Sequence, residues 1–167
     1  RLPWPLFLML SATVTQMIMN SYEAALAVMP QLAGFIPMLT GTGGNCGSQS
    51  STLVIRGLAV EEIEFGDLFR VVWKEVRIAV CISLVLAVVN GIRILLMGQG
   101  DVLMALTIGL TMACTVIIAK VVGCTLPLVA KKVGLDPAIM ATPLISTLVD
   151  ISTISVYFAI VSTVFQL

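Results

Sequence analysis

The sequence predicts an all-α membrane protein with five spanning helices. Two observations carry this. Hydrophobic residues make up 59% of the 167 positions and charged residues 11%, with a mean hydropathy of +1.10; a soluble domain carries about 25% charged residues and could not hide this much apolar surface in one core. The apolar residues also fall into runs close to the roughly 20 residues that a spanning helix needs. The solvent for most of the chain is therefore lipid.

The elements follow in order. A first helix is predicted over 5–22, with a break near "NSYEAA". A second starts at about 24, contains Pro30 and Pro37, and runs into the stretch "TGTGGNCGSQSST" at 40–52. Residues 56–77 hold Arg56, Glu61, Glu62, Glu64, Asp67, Arg70, Lys74, Glu75 and Arg77, a charge density that predicts a water-exposed connection whose later half extends the third helix out of the membrane. That helix crosses over 78–97. "GQGD" at 98–101 predicts a turn, and a fourth helix runs over 102–130 with Pro127 near its end. "KKVGLDP" at 131–137 is a short polar link, with Asp136 as N-cap and Pro137 in the first turn of a fifth helix that continues to 165.

Loop charge sets the direction. Arg1, Arg56, Arg70, Lys74, Arg77, Lys131 and Lys132 share one side, and only Arg93 lies near the other. Basic loops stay in the cytoplasm, so the N-terminus is expected there and the C-terminus outside, in a multi-pass protein of the cell (inner) membrane. No internal repeat is visible. The start at Arg1, without methionine, reads as an excised domain, with 1–167 forming one transmembrane ion-conducting unit.

Composition also excludes chemistry. There is no histidine, which removes the usual general base and argues against zinc, copper and non-haem iron sites. Cys46, Cys81, Cys114 and Cys124 have no C-x-x-C spacing and read as small hydrophobes. With zero net charge and no basic patch, nucleic acid is not an expected partner. No paired acid and base points to an enzyme.

Two features point to a site. Asp150 lies mid-way along the fifth apolar run, 11 residues or about 17 Å past Ile139. An intramembrane carboxylate costs roughly 2.5–3.5 kcal/mol on insertion scales, so it faces protein or water. Thr142, Ser146, Asp150, Thr153 and Tyr157 recur at helical spacing. Such a stripe lines a wet path or binds neighbouring helices through its hydroxyls. Lys120 falls at a similar depth in the fourth helix, so a structural Asp150–Lys120 pair is open too.

The second feature is the glycine-rich stretch. No Lys-Ser or Lys-Thr follows its glycines, so it is no P-loop, and Gly41, Gly43, Gly44 and Gly47 miss the dinucleotide register. Irregular backbone at membrane depth survives only inside protein or beside water. Glycine carbonyls with Asn45, Ser48 and Gln49 would supply neutral oxygens, which suit a hard cation such as magnesium. A glycine-rich helix terminus that merely packs is the alternative.

"GGNCGSQSSTLVIRGLA" followed by "GLDPAIMATPLISTLVDISTISVYF" resembles the membrane domain of MgtE-type magnesium transporters, over essentially the whole chain. The resemblance implies a homodimer in the lipid bilayer, with the second and fifth of five helices lining a central pore at the dimer interface. It implies Mg2+ as the transported ion, held mainly through its water shell by Asp150. Gly43, Gly44 and Asn45 would lie beside the same path, with Ser146 one turn from Asp150 and Glu23 at the outer mouth. It also implies N-terminal and CBS regulatory domains that are missing from this chain. Cys46 stands where alanine is usual, Thr153 where glycine or serine is usual, and Lys120 is not part of the pattern. The expected function is a magnesium (divalent cation) channel; the alternatives are a sodium-coupled exchanger and a non-transporting module with a structural Asp150–Lys120 pair.

Overall fold

A computed structural model describes residues 3–138 and 143–166. The described residues form α-helices with one short 3-10 turn. They are α1 (Pro3–Ser21), α2 (Glu23–Val28), α3 (Gln31–Ala59), a 3-10 turn (Phe65–Asp67), α4 (Leu68–Leu96), α5 (Val102–Lys132) and α6 (Pro143–Phe165). Among the described residues three stretches are long and apolar enough to cross a membrane: Phe65–Leu96, Val102–Lys132 and Pro143–Phe165. Helix α1 has 19 residues and α3 has 29, lengths of about 28 and 44 Å.

Local chemistry sets each boundary. Tyr22 interrupts the first apolar run, and Pro30, which has no amide hydrogen to donate, stands at the N-cap of α3. After α3 the chain reverses sharply. The amides of Glu62 and Ile63 both donate to the Gly57 carbonyl (2.9 and 3.2 Å), and Ile63 occupies the space a Gly57 side chain would need. Lys131 Nζ reaches back to the Leu58 carbonyl (3.3 Å), placing a cation at the negative end of α3. The expected turn between α4 and α5 is built on Gly98 at φ +63°, and Asp101 caps α5 by accepting the Met104 amide at 2.8 Å. Asp136 Oδ1 accepts the Ala138 amide at 2.9 Å. Pro137, expected in the first turn of the last helix, lies with Ala138 in a turn, and α6 is described from Pro143; the stripe member Thr142 lies outside the described residues.

Helix α5 is the centre. It packs against α4, α3 and α6, while α1 packs on α6. The main core joins Leu32, Phe35, Ile36 and Leu39 of α3 to Ile108, Met112 and Val116 of α5 and Ile154, Tyr157 and Phe158 of α6. Tyr157 donates its hydroxyl hydrogen to the Leu32 carbonyl at 2.9 Å. Tyr22 stacks on Phe158 with ring centres 4.4 Å apart, pinning the break after α1 to α6. Outward faces differ sharply. Helix α4 exposes Leu84, Val85, Val88, Val89 and Ile92, and α1 exposes Met9, Leu10, Val14 and Met17, surfaces suited to lipid tails.

Two expectations are corrected. The glycine-rich stretch is not irregular backbone; it lies within one unbroken helix, α3. In a membrane an interrupted helix would strand amides without water, whereas a continuous one satisfies them internally. The 56–77 segment is not water-exposed throughout either, because Glu75 is buried on the inner face of α4.

Candidate functional site

The helical register divides the motif into two faces. Gly43, Gly47, Ser50, Ser51 and Val54 turn inward, while Gly41, Asn45, Gln49 and Thr52 turn outward. The inward glycines are there for packing. A Cβ on Gly43 would come within 2.7 Å of Thr115 Cγ2 and of Val149 Cγ1, and one on Gly47 within 2.8 Å of Ile145 Cγ2. A Cβ on Gly123 of α5 would overlap the Gly47 carbonyl. This is close helix–helix approach through small residues, as in membrane bundles generally.

The outward face is different in kind. Gly34, Pro37, Gly41, Asn45, Gln49, Thr52 and Arg56 recur every three or four residues and are all exposed. Gly34 and Gly41 have nothing near the position of a Cβ. Helix α3 thus presents small and polar groups where α4 and α1 present large apolar ones.

Asp150 is half-buried on α6, one turn beyond Ser146. Gly44 of α3 comes against Ser146; a Cβ added to Gly44 would lie 3.7 Å from the serine Cβ. The fold therefore sets Gly44 against Ser146, and Asp150 follows one turn along the same face of α6; Asn45, the next residue of α3, is exposed. Gly43 points the other way, into the core. Glu23 is exposed in the first turn of α2, beside the Tyr22–Phe158 stack. Phe158 is eight residues past Asp150, about 12 Å along the helix, so Glu23 is not brought to the carboxylate.

Lys120 does not pair with Asp150. Its ammonium lies 3.1 Å from Glu75 Oε2 and donates to Ser50 Oγ at 3.0 Å. No group of three or more His, Cys, Asp or Glu side chains that could hold a metal occurs among the described residues. What the site offers a cation is one carboxylate per chain and neutral oxygens.

A family profile described as "Divalent cation transporter", MgtE, matches residues 36–160. The chain belongs to the MgtE family. It is 34% identical over 164 residues to the magnesium transporter MgtE of Thermus thermophilus, 36% over 160 to that of Bacillus subtilis, and 32% over 165 to that of Enterococcus faecalis. These alignments cover 96–97% of this chain but 35–36% of each relative, so the chain spans about a third of the length of the MgtE proteins it matches.

Two sets of polar groups are hard to find in the sequence. Ser11 and Thr15 of α1 line a cleft with Asp150; their i, i+4 spacing in an apolar run is the one signal they carry. Glu75 shares its buried face of α4 with Ala79, Ser83 and Asn90, a stripe of small and polar groups that the linear charge density of 56–77 conceals.

Proposed function

We propose that this chain is the membrane-spanning part of a magnesium transporter, with a path for hydrated Mg2+ lined by the outward face of α3 and by Asp150 of α6. The observation that carries this reading is the exposed polar stripe Gly34–Arg56. A spanning helix with such a face cannot rest against hydrocarbon, so the face meets water or another copy of the chain. Two copies facing one another through α3 would enclose it on both sides. Membership of the MgtE family supports magnesium as the cargo.

On this reading α1, α3, α4, α5 and α6 make five crossings, the basic loops lie in the cytoplasm, and the C-terminus is extracytoplasmic. Magnesium gives up its octahedral water shell reluctantly. Two Asp150 carboxylates across a dimer axis would supply diffuse negative charge, and Asn45 and Ser146 would supply oxygens for the shell. No basic side chain neutralises Asp150 among the described residues, which favours cations over anions. Gly43 serves the path indirectly, by letting α3 sit close to α5 and α6. Glu23 would add charge near the outer end. The missing N-terminal and CBS domains would gate the path from the cytoplasm. No enzymatic chemistry is required.

The test is magnesium flux through the full-length protein in liposomes. Asp150→Ala is expected to abolish flux, and the wild-type reversal potential to follow the magnesium gradient alone. Normal flux with unchanged magnesium preference in Asp150→Ala would sink the proposal. A reversal potential that tracks sodium would replace conduction by sodium-coupled exchange along the same path.

A further inference from the structure

The cleft that holds Asp150 is closed on one side by α1, an element the pore reading leaves without a role. Its lining is Leu8, Ser11, Ala12 and Thr15 from α1 and Thr147 and Asp150 from α6, around a volume of about 160 Å³. We propose that Ser11 and Thr15 complete the ion site of Asp150, taking hydrogen bonds from the water shell of a divalent cation. The inference rests on the proposed function and names the specificity residues of that same site.

The hydrogen bonds of the cleft support it. Ser11 Oγ donates its hydrogen to the Leu8 carbonyl at 2.8 Å, and Thr147 Oγ1 donates to the Pro143 carbonyl at 2.8 Å. Thr15 Oγ1 is turned toward the Ser11 carbonyl at 3.5 Å. With these protons directed into their own helices, the hydroxyl oxygens turn lone pairs to the cleft. The Asp150 carboxylate accepts only. Among the described residues no side chain is bonded to Asp150, and the cleft holds no cationic group. A cleft with one carboxylate, hydroxyl oxygens and no cationic group does not suit an anion. It suits a ligand that presents hydrogens all round and carries positive charge. A hydrated magnesium ion does both, since each coordinated water points its hydrogens outward.

Size agrees. The cleft, about 160 Å³, has room for an ion with bound waters. A bare ion chelated directly would need several carboxylates, and the cleft has one. The site therefore reads the shell, and ions that keep an octahedral shell are its class of ligand.

The experiment titrates magnesium uptake by the full-length protein in liposomes, with and without hexaamminecobalt(III), whose fixed ammine shell imitates hydrated magnesium and cannot be stripped. The variants are Ser11→Ala, Thr15→Val, the double variant, Thr15→Ser and Asp150→Asn. The double variant is expected to raise the half-saturating magnesium about tenfold and to weaken hexaamminecobalt inhibition about as much, the scale of a charge-assisted hydrogen bond. Thr15→Ser, which keeps the hydroxyl, is expected to stay near wild type on both readouts. Should the double variant fail to assemble, Ser11→Ala alone is expected to shift both readouts about threefold in the same direction. If the hydroxyl-deleting variants match wild type on both readouts while Asp150→Asn is inactive, the role of α1 is wrong and the pore reading stands. If Asp150→Asn transports like wild type, the pore reading fails and this inference falls with it.

Discussion

Lys120 of α5 and Glu75 of α4 form a buried ion pair, Nζ to Oε2 at 3.1 Å, and Ser50 of the motif helix joins it. Ser50 Oγ accepts from the ammonium and donates to the carboxylate at 2.5 Å. The three groups tie α3, α4 and α5 together one turn from the close approach of Gly47 and Gly123. The motif helix is thus held by charge and by backbone contact at neighbouring levels.

Removing one partner leaves the other charge buried and unmatched. Lys120→Met or Glu75→Gln is expected to destabilise the protein by about 3–5 kcal/mol. The double variant Lys120→Met/Glu75→Leu is expected to recover most of the loss, because two apolar side chains leave no stranded charge. Melting in detergent measures all three. A double variant as unstable as the sum of the singles would show that the pair is not coupled.

The two faces of α3 predict opposite effects for one substitution. Gly43→Ala meets Thr115 and Val149 at 2.7 Å, and overpacking of this kind costs about 1–3 kcal/mol. Gly41→Ala meets nothing within 4 Å and is expected to raise stability by about 0.5–1 kcal/mol through helix propensity. Thermal melting of the two variants side by side checks the assignment, and equal shifts would contradict it.

Tyr157→Phe removes the hydrogen bond from the tyrosine hydroxyl to the Leu32 carbonyl without changing the ring. A loss of about 0.5–1.5 kcal/mol is expected, with magnesium flux retained. Loss of flux in a stably folded Tyr157→Phe protein would give the hydroxyl a part in transport.

If the polar face of α3 meets its copy in a dimer, a cysteine there will cross-link to its partner. In a background with the native cysteines replaced, Asn45→Cys is expected to give an oxidised dimer on gels. Val88→Cys, on the apolar face of α4, is expected to stay monomeric. The reverse pattern would move the dimer contact to α4.

Much of this is legible in the residues taken in order. Asp150 stands out because a carboxylate in an apolar run is costly wherever it points. The glycine stretch stands out by composition, yet composition points to the wrong backbone. Four glycines in eight residues resemble a break in water, where glycine exposes the chain, but in lipid the same residues stay helical and let neighbours approach. Glu75 is hidden for a related reason. It sits among eight other charged residues in sequence, and only its rotation about α4 turns it away from them.

Residue order alone established the solvent, the apolar segments, the turn at 98–101, and the two features that mark the site. These follow from hydropathy and local backbone chemistry, which act within a few residues. Helix packing was needed to establish that Gly43 points inward while Asn45 looks out, that Lys120 belongs to Glu75, and that Ser11 and Thr15 share a cleft with Asp150. Those relationships depend on how each helix is rotated about its axis and which neighbour it meets. Steric fit between helices distant in sequence sets that rotation, and an apolar run carries too little contrast between its faces to announce it.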